Sequence, residues 1–128
     1  MSKKTVIIGA TTNPSRYAYF AADKLTDAGH EIVPVGIKKG EVFGEDILDI
    51  KQAPKVENVD TITLYLGARH QPEYYNYLLS LNPKRIIFNP GTENPELVKL
   101  ANEKGIETEN SCTLVMLGSG VYWITGIR

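Results

Sequence analysis

The run after Gly9 concentrates Thr11, Thr12, Ser15 and Arg16, hydroxyls and a guanidinium set close behind a glycine. Such groups donate to phosphate oxygens, and the planar guanidinium fork can meet two oxygens at once. Asn13-Pro14 adds a helix start, because Asn accepts a bond from an orphan N–H and Pro fits the first helical position, where no N–H partner is needed. A helix N-terminus beside a strand end presents unpaired N–H groups and partial positive charge, which suits a phosphate or pyrophosphate. The chemistry on offer is anion binding. The spacing does not complete a dinucleotide fingerprint, which would place glycines where Thr11 and Pro14 stand, so a purely structural turn is the competing reading.

Bond-breaking chemistry finds less support. A hydrolase needs a nucleophile with a base, and the only two histidines, His30 and His70, fall in a strand lead-in and at a helix start. One Cys and two separated His give no metal-ligand spacing. Glu45, Asp46, Glu93 and Glu96 read as solvated loop and helix-start charges. Cys112 is either a small buried apolar residue or a thiol facing a cleft. Tyr74, Tyr75 and Tyr77 read as a helix packing face or an association surface.

The elements that must position these residues are those of an ordinary globular chain. Its 128 residues fit one domain, 1–128, with a single core, and 42% hydrophobic with 23% charged residues is a typical balance. A net charge of −1 lacks the basic field that nucleic acid or an anionic membrane requires. No apolar run approaches the roughly 20 residues of a membrane helix. With Met1-Ser2-Lys3-Lys4 read as running straight into a strand, no signal peptide is expected, and the lone cysteine makes the cytoplasm the expected compartment.

In chain order, Val6-Ile7-Ile8 is a β-branched run suited to a strand buried on both faces. Tyr17, Ala21, Leu25 and Ala28 recur at helical spacing until Gly29, and Glu31 to Val35 is the second strand. Gly36-Ile37-Lys38-Lys39-Gly40 forms a basic loop, and Val42 to Val59 reads as a crossing segment with little regular structure. Thr61 to Leu66 is the third strand, Glu73 to Leu81 a helix, and Arg85 to Phe88 the fourth strand. Asn94-Pro95 opens another helix that Gly105 stops; Ile106 to Asn110 is a short fifth strand, and Thr113 to Leu117 leads to a glycine-spaced tail, Gly118 to Arg128. The alternation predicts an α/β three-layer fold with a five-stranded parallel sheet in the order 3-2-1-4-5. Ligands bind such sheets beyond the strands' carboxyl ends where the winding reverses, here between strands one and four. Four loops converge there: Gly9 to Tyr17, Gly36 to Gly40, Tyr65 to Arg69 and Asn89 to Thr92.

The end of strand two discriminates among nucleotides. Enzymes that bind NAD place an acidic residue there for the ribose hydroxyls, whereas this chain has Gly36 followed by Lys38 and Lys39. A basic loop suits a nucleotide with an extra ribose phosphate, NADP or coenzyme A; two solvated lysines on a turn are the alternative.

The segments GATTNPSRY, HEIVPVGIKKGEVFG, FNPGTENPELVKLANEKGIE and NSCTLVML together resemble the small stand-alone CoA-binding proteins of Rossmann-like fold, over nearly the whole chain. The same domain is similar to the N-terminal part of the succinyl-CoA synthetase alpha subunit. The resemblance implies that Gly9, Ala10, Thr11 and Thr12 with Arg16 and Tyr17 hold the pyrophosphate. It implies that Val35 and Gly36 with Lys39 meet the adenosine end and its 3′-phosphate, and that Tyr65, Leu66, Asn89, Pro90 and Gly91 line the cleft. An Asn-Pro pair usual in the family is replaced by Gly36-Ile37, which removes an Asn contact to the ribose. The expected function is binding of coenzyme A or an acyl-CoA without catalysis by this chain alone, leaving open a homo-oligomer or a partner enzyme. An NADP-dependent or acyl-CoA-handling enzyme is the alternative.

Overall fold

A computed structural model describes residues 2–123; the end of the expected tail lies outside the described residues. Thr5–Ile8 is β-branched throughout and fully buried, and forms strand β1 at the middle of a parallel sheet. On one side it pairs with β2, Ile32–Gly36, and on the other with Thr61–Leu64. Between β1 and β2 runs helix α1, Tyr17–Asp27. A small antiparallel hairpin of β3, Glu41–Val42, and β4, Glu45–Asp46, precedes the two-residue strand β5, Leu48–Asp49. Thr61–Leu64 is then β6, followed by α2 (Tyr75–Ser80), β7 (Arg85–Phe88), α3 (Pro95–Glu103), β8 (Glu107–Asn110) and α4 (Thr113–Gly118).

The main sheet has six strands in the order β5-β2-β1-β6-β7-β8, which corrects the expected five-stranded 3-2-1-4-5 arrangement. The third place is taken by β5, inside the stretch expected to cross without regular structure, and Thr61–Leu64 moves to the other side of β1. The reason is legible in burial. All four residues of β6 are buried, as suits an interior strand, whereas β5 is too short to show any alternation and keeps Asp49 exposed at the edge. The winding therefore reverses between β1 and β6, not between β1 and Arg85–Phe88. β6 also ends at Leu64, so Tyr65 and Leu66 leave the sheet.

Alternation along β1 splits the core into two layers. Val6 and Ile8 pack with Leu78, Leu97 and Ala101 from α2 and α3; Ile7 packs with Ala18, Ala21 and Leu25 of α1 and Met116 of α4. The helix expected at Asn13-Pro14 begins at Tyr17 instead, because Asn13 closes a local turn. Its Oδ1 accepts from the Ser15 N–H at 3.0 Å, and its carbonyl accepts from the Arg16 N–H at 3.1 Å. Asn94 does cap α3, its Oδ1 accepting from Glu96 N at 3.1 Å and Leu97 N at 3.3 Å.

A polar cluster is sealed at the sheet end that carries Thr5, Thr61 and Arg85. The Arg85 Nε donates to Thr61 Oγ1 at 3.0 Å, and its guanidinium lies 4.6 Å from the Tyr122 ring centre. The His30 ring lies beside Tyr122, tilted 59° to it with ring centres 5.0 Å apart, and the His30 Nδ1 accepts the Lys3 backbone N–H at 2.9 Å. Burial lowers the His30 pKa from 6.5; the N-terminus, Lys3 and Arg85 lower it further, and Asp60 opposes them. The unfolded chain therefore binds the extra proton more readily. Stability is full above the unfolded value and falls as pH drops toward the lowered folded value. Urea midpoints measured from about pH 7 to about pH 5 are expected to decline, and His30→Gln, which keeps an acceptor for Lys3 N–H, is expected to flatten that slope. An unchanged slope would remove His30 as its source.

Candidate functional site

At the carboxyl end of β1 the chain turns at Gly9, whose φ of +95° is a conformation that favours glycine. The Gly9 and Ala10 N–H groups both donate to the Val35 carbonyl, at 2.9 and 3.1 Å, and the Tyr65 N–H donates to the Ile8 carbonyl at 2.8 Å. Three backbones are thus drawn together. A Cβ on Gly9 would stand 3.1 Å from the Tyr65 carbonyl carbon, and one on Gly36 only 2.7 Å from the Ala10 oxygen. The absence of a side chain at Gly36, expected to cost a ligand contact, is what lets the turn seat against β2.

These three strand ends floor a cleft of about 480 Å³. Gly9, Ala10, Thr11, Arg16 and Tyr17 line one side, Gly36 and Lys38 the next, and Tyr65, Leu66, Pro90 and Gly91 the far wall. Four residues of the expected set are placed differently. Thr12 is exposed and turned toward Gly40. Val35 is buried and contributes its carbonyl to the turn. Lys39 lies off the cleft wall, and Lys38 is on it. Asn89 is buried as a staple: its Nδ2 donates to Thr63 Oγ1 (2.8 Å) and the Leu64 carbonyl (2.9 Å), and its Oδ1 accepts from Thr113 N at 2.9 Å.

The cleft also recruits residues outside the expected site set, Ile50, Tyr74 and Thr92 among them. Ile50 follows β5 in the segment with no readable periodicity, and Tyr74 belongs to a 3₁₀ turn, Pro72–Tyr74, rather than to the helix expected from Glu73. Its neighbours are tied down elsewhere: Tyr75 donates to Glu96 at 2.8 Å and Tyr77 to the Pro54 carbonyl at 2.7 Å. Tyr17 is 72% exposed at the mouth, edge-on to Phe20.

The electrostatics favour an anion. Arg16 and Lys38 face the cleft, and none of its lining residues is acidic. A larger hollow of about 670 Å³ between α3 and β8 lacks this character, because Glu93 and Glu103 line it and its Lys99 is paired with Glu103 at 3.9 Å. Asp49, the acid beside Gly36 in the sheet, is off the cleft wall and accepts the Lys51 N–H at 2.9 Å.

The histidines, the cysteine and the Tyr65 phenol are badly placed to move a proton or attack a carbonyl in the cleft. Burial pushes the Tyr65 phenol up to about 12, so it stays protonated at neutral pH; its oxygen is buried near Thr63 and Thr113 without a hydrogen bond. Cys112 sits half-buried before α4 and off the cleft wall, nearer the packed of its two readings than the cleft-facing one. His70 is exposed beside Arg69, and His30 lies in the sealed cluster. Among the described residues no group of His, Cys, Asp or Glu could hold a metal ion, and no helix is long and apolar enough to cross a membrane.

Residues 3–118 match the family model described as CoA binding domain. A crystal structure of an uncharacterized protein is 55% identical and covers 94% of this chain and 98% of its own, with a TM-score of 0.91. A hypothetical protein from Pyrococcus horikoshii OT3 superposes with a TM-score of 0.79 at 26% identity, over 92% of this chain and 83% of its own. The uncharacterized protein YneT of Bacillus subtilis (strain 168) is 22% identical over 105 residues, 81% of this chain and 76% of that protein.

Proposed function

The chain belongs to the CoA binding domain family, and from that premise we propose that the cleft at the sheet reversal binds coenzyme A, free or acylated, with the chain acting as one domain. The observation that carries the reading is the cleft itself: a glycine turn under α1, flanked by Arg16 and Lys38 and free of lining carboxylates. The pyrophosphate lies on the Gly9–Thr11 turn with Arg16 above it. The adenosine end passes over Gly36, with its 3′-phosphate toward Lys38, and the pantetheine arm crosses to Leu66, Tyr74 and Pro90. NAD is disfavoured because Asp49, the acid beside Gly36, is engaged off the cleft wall. The chain binds and presents the coenzyme, and a partner supplies any reaction at the acyl group, since no His, Cys, Asp or Glu lines the cleft among the described residues.

A thermal-shift panel tests this directly. A ligand present at 100 times its Kd stabilises by about 2.7 kcal/mol, which is several degrees for a chain of this size. CoA and acetyl-CoA are expected to raise Tm, dephospho-CoA to raise it less, and NAD to leave it unchanged. A shift with NAD and none with CoA at millimolar concentration would overturn the reading, and an equal shift with NADP would move it to the dehydrogenase class.

A further inference from the structure

Gln71 stands where the 3₁₀ turns Ala68–His70 and Pro72–Tyr74 meet, and its relative exposure is 0%. A long polar side chain is seldom buried so fully without complete hydrogen bonding. Its Nε2 donates to the Leu66 carbonyl at 2.8 Å and to the Thr92 carbonyl at 2.9 Å, while its Oε1 accepts from Asn94 Nδ2 at 2.9 Å. Leu66 and Thr92 both line the cleft, one from the loop after β6 and one from the loop after β7. Asn94 also caps α3, so one amide joins two loops and a helix start. Bridging two carbonyls takes a group with two N–H donors, and the third bond takes an acceptor beside them; a primary amide supplies both.

We infer that Gln71 is a positioning residue that fixes the spacing of the cleft's far wall and thereby gives the site its preference for the whole coenzyme over its nucleotide half. This rests on the CoA reading above. Adenosine 3′,5′-bisphosphate occupies only the side formed by the Gly9 turn, Gly36 and Lys38, which Gln71 does not bond. The pantetheine arm meets the wall that Gln71 holds. Loosening that wall weakens CoA and spares the bisphosphate, whereas a general loss of folded protein weakens both by the same factor.

The experiment is calorimetric titration of CoA and adenosine 3′,5′-bisphosphate into the native chain, Gln71→Ala and Gln71→Glu, each checked for a cooperative melt. Gln71→Ala is expected to weaken CoA about tenfold and the bisphosphate by less than about twofold. Gln71→Glu keeps the acceptor but sets a carboxylate against two carbonyls, and a carboxyl so placed resists ionisation. Its CoA-to-bisphosphate preference, relative to the native chain at the same pH, is expected to return toward native as pH falls and one O–H donor is restored. This second arm decides the question if Gln71→Ala does not fold. Equal weakening of both ligands, or no change in their ratio in either variant, overturns the role of Gln71 alone. A native chain that binds neither ligand overturns the CoA reading and this inference with it.

Discussion

Gly36→Val is expected to abolish CoA binding. The added Cβ would fall 2.7 Å from the Ala10 carbonyl oxygen, a backbone atom with no flexible end to swing away. Either β2 or the Gly9 turn has to shift, and the paired bonds from Gly9 and Ala10 to the Val35 carbonyl shift with it. The backbone groups proposed to hold the ligand are then displaced, and overpacking at this point destabilises the chain by about 1–3 kcal/mol. Gly9→Val acts on the same turn by another route, forcing a branched residue to a φ of +95° against the Tyr65 backbone. Circular dichroism separates folding from binding. A folded Gly36→Val that binds CoA with native affinity would show that the turn is architecture only.

The pair Arg16→Ala with Lys38→Ala is the second large effect. A charge-assisted contact to phosphate is worth about 1.5–3 kcal/mol, and the exposure of both side chains keeps each near the lower end. Together they are expected to weaken CoA by about a hundredfold. Lys38→Ala alone is expected to cost about tenfold for CoA and little for dephospho-CoA, and Lys39→Ala little for either. Equal losses of CoA and dephospho-CoA in Lys38→Ala would contradict a contact to the 3′-phosphate.

That second prediction turns on a detail the sequence could not supply. Strand alternation says that only one of Lys38 and Lys39 faces the ligand, but not which, because the chain bends at Ile37 and Lys38 as it leaves β2. Where local chemistry decides, the reading carried through at most points, the helix start at Asn13-Pro14 excepted. The β-branched run of β1, the Arg85–Phe88 strand and the Asn94 cap of α3 all stand where their residue types placed them. Where tertiary contact decides, it did not. Leu48–Asp49 carries no two-residue periodicity, yet pairing with Val35 and Gly36 makes it a strand and puts Thr61–Leu64 on the far side of β1. Asn89 looked like a turn residue lining the cleft because its place in Asn-Pro-Gly suits a turn; its three bonds beneath the floor depend on β6 and α4. Gln71 carried no signal at all, since its partners come from two loops that only the fold brings together.

Crystallisation of the chain with CoA tests the central claim most directly, because it reads the position of the ligand. The account predicts pyrophosphate density on the Gly9–Thr11 turn within hydrogen-bond reach of Arg16, and the adenosine over Gly36 with its 3′-phosphate beside Lys38. CoA seated instead in the hollow between α3 and β8, with the reversal cleft empty, would contradict it.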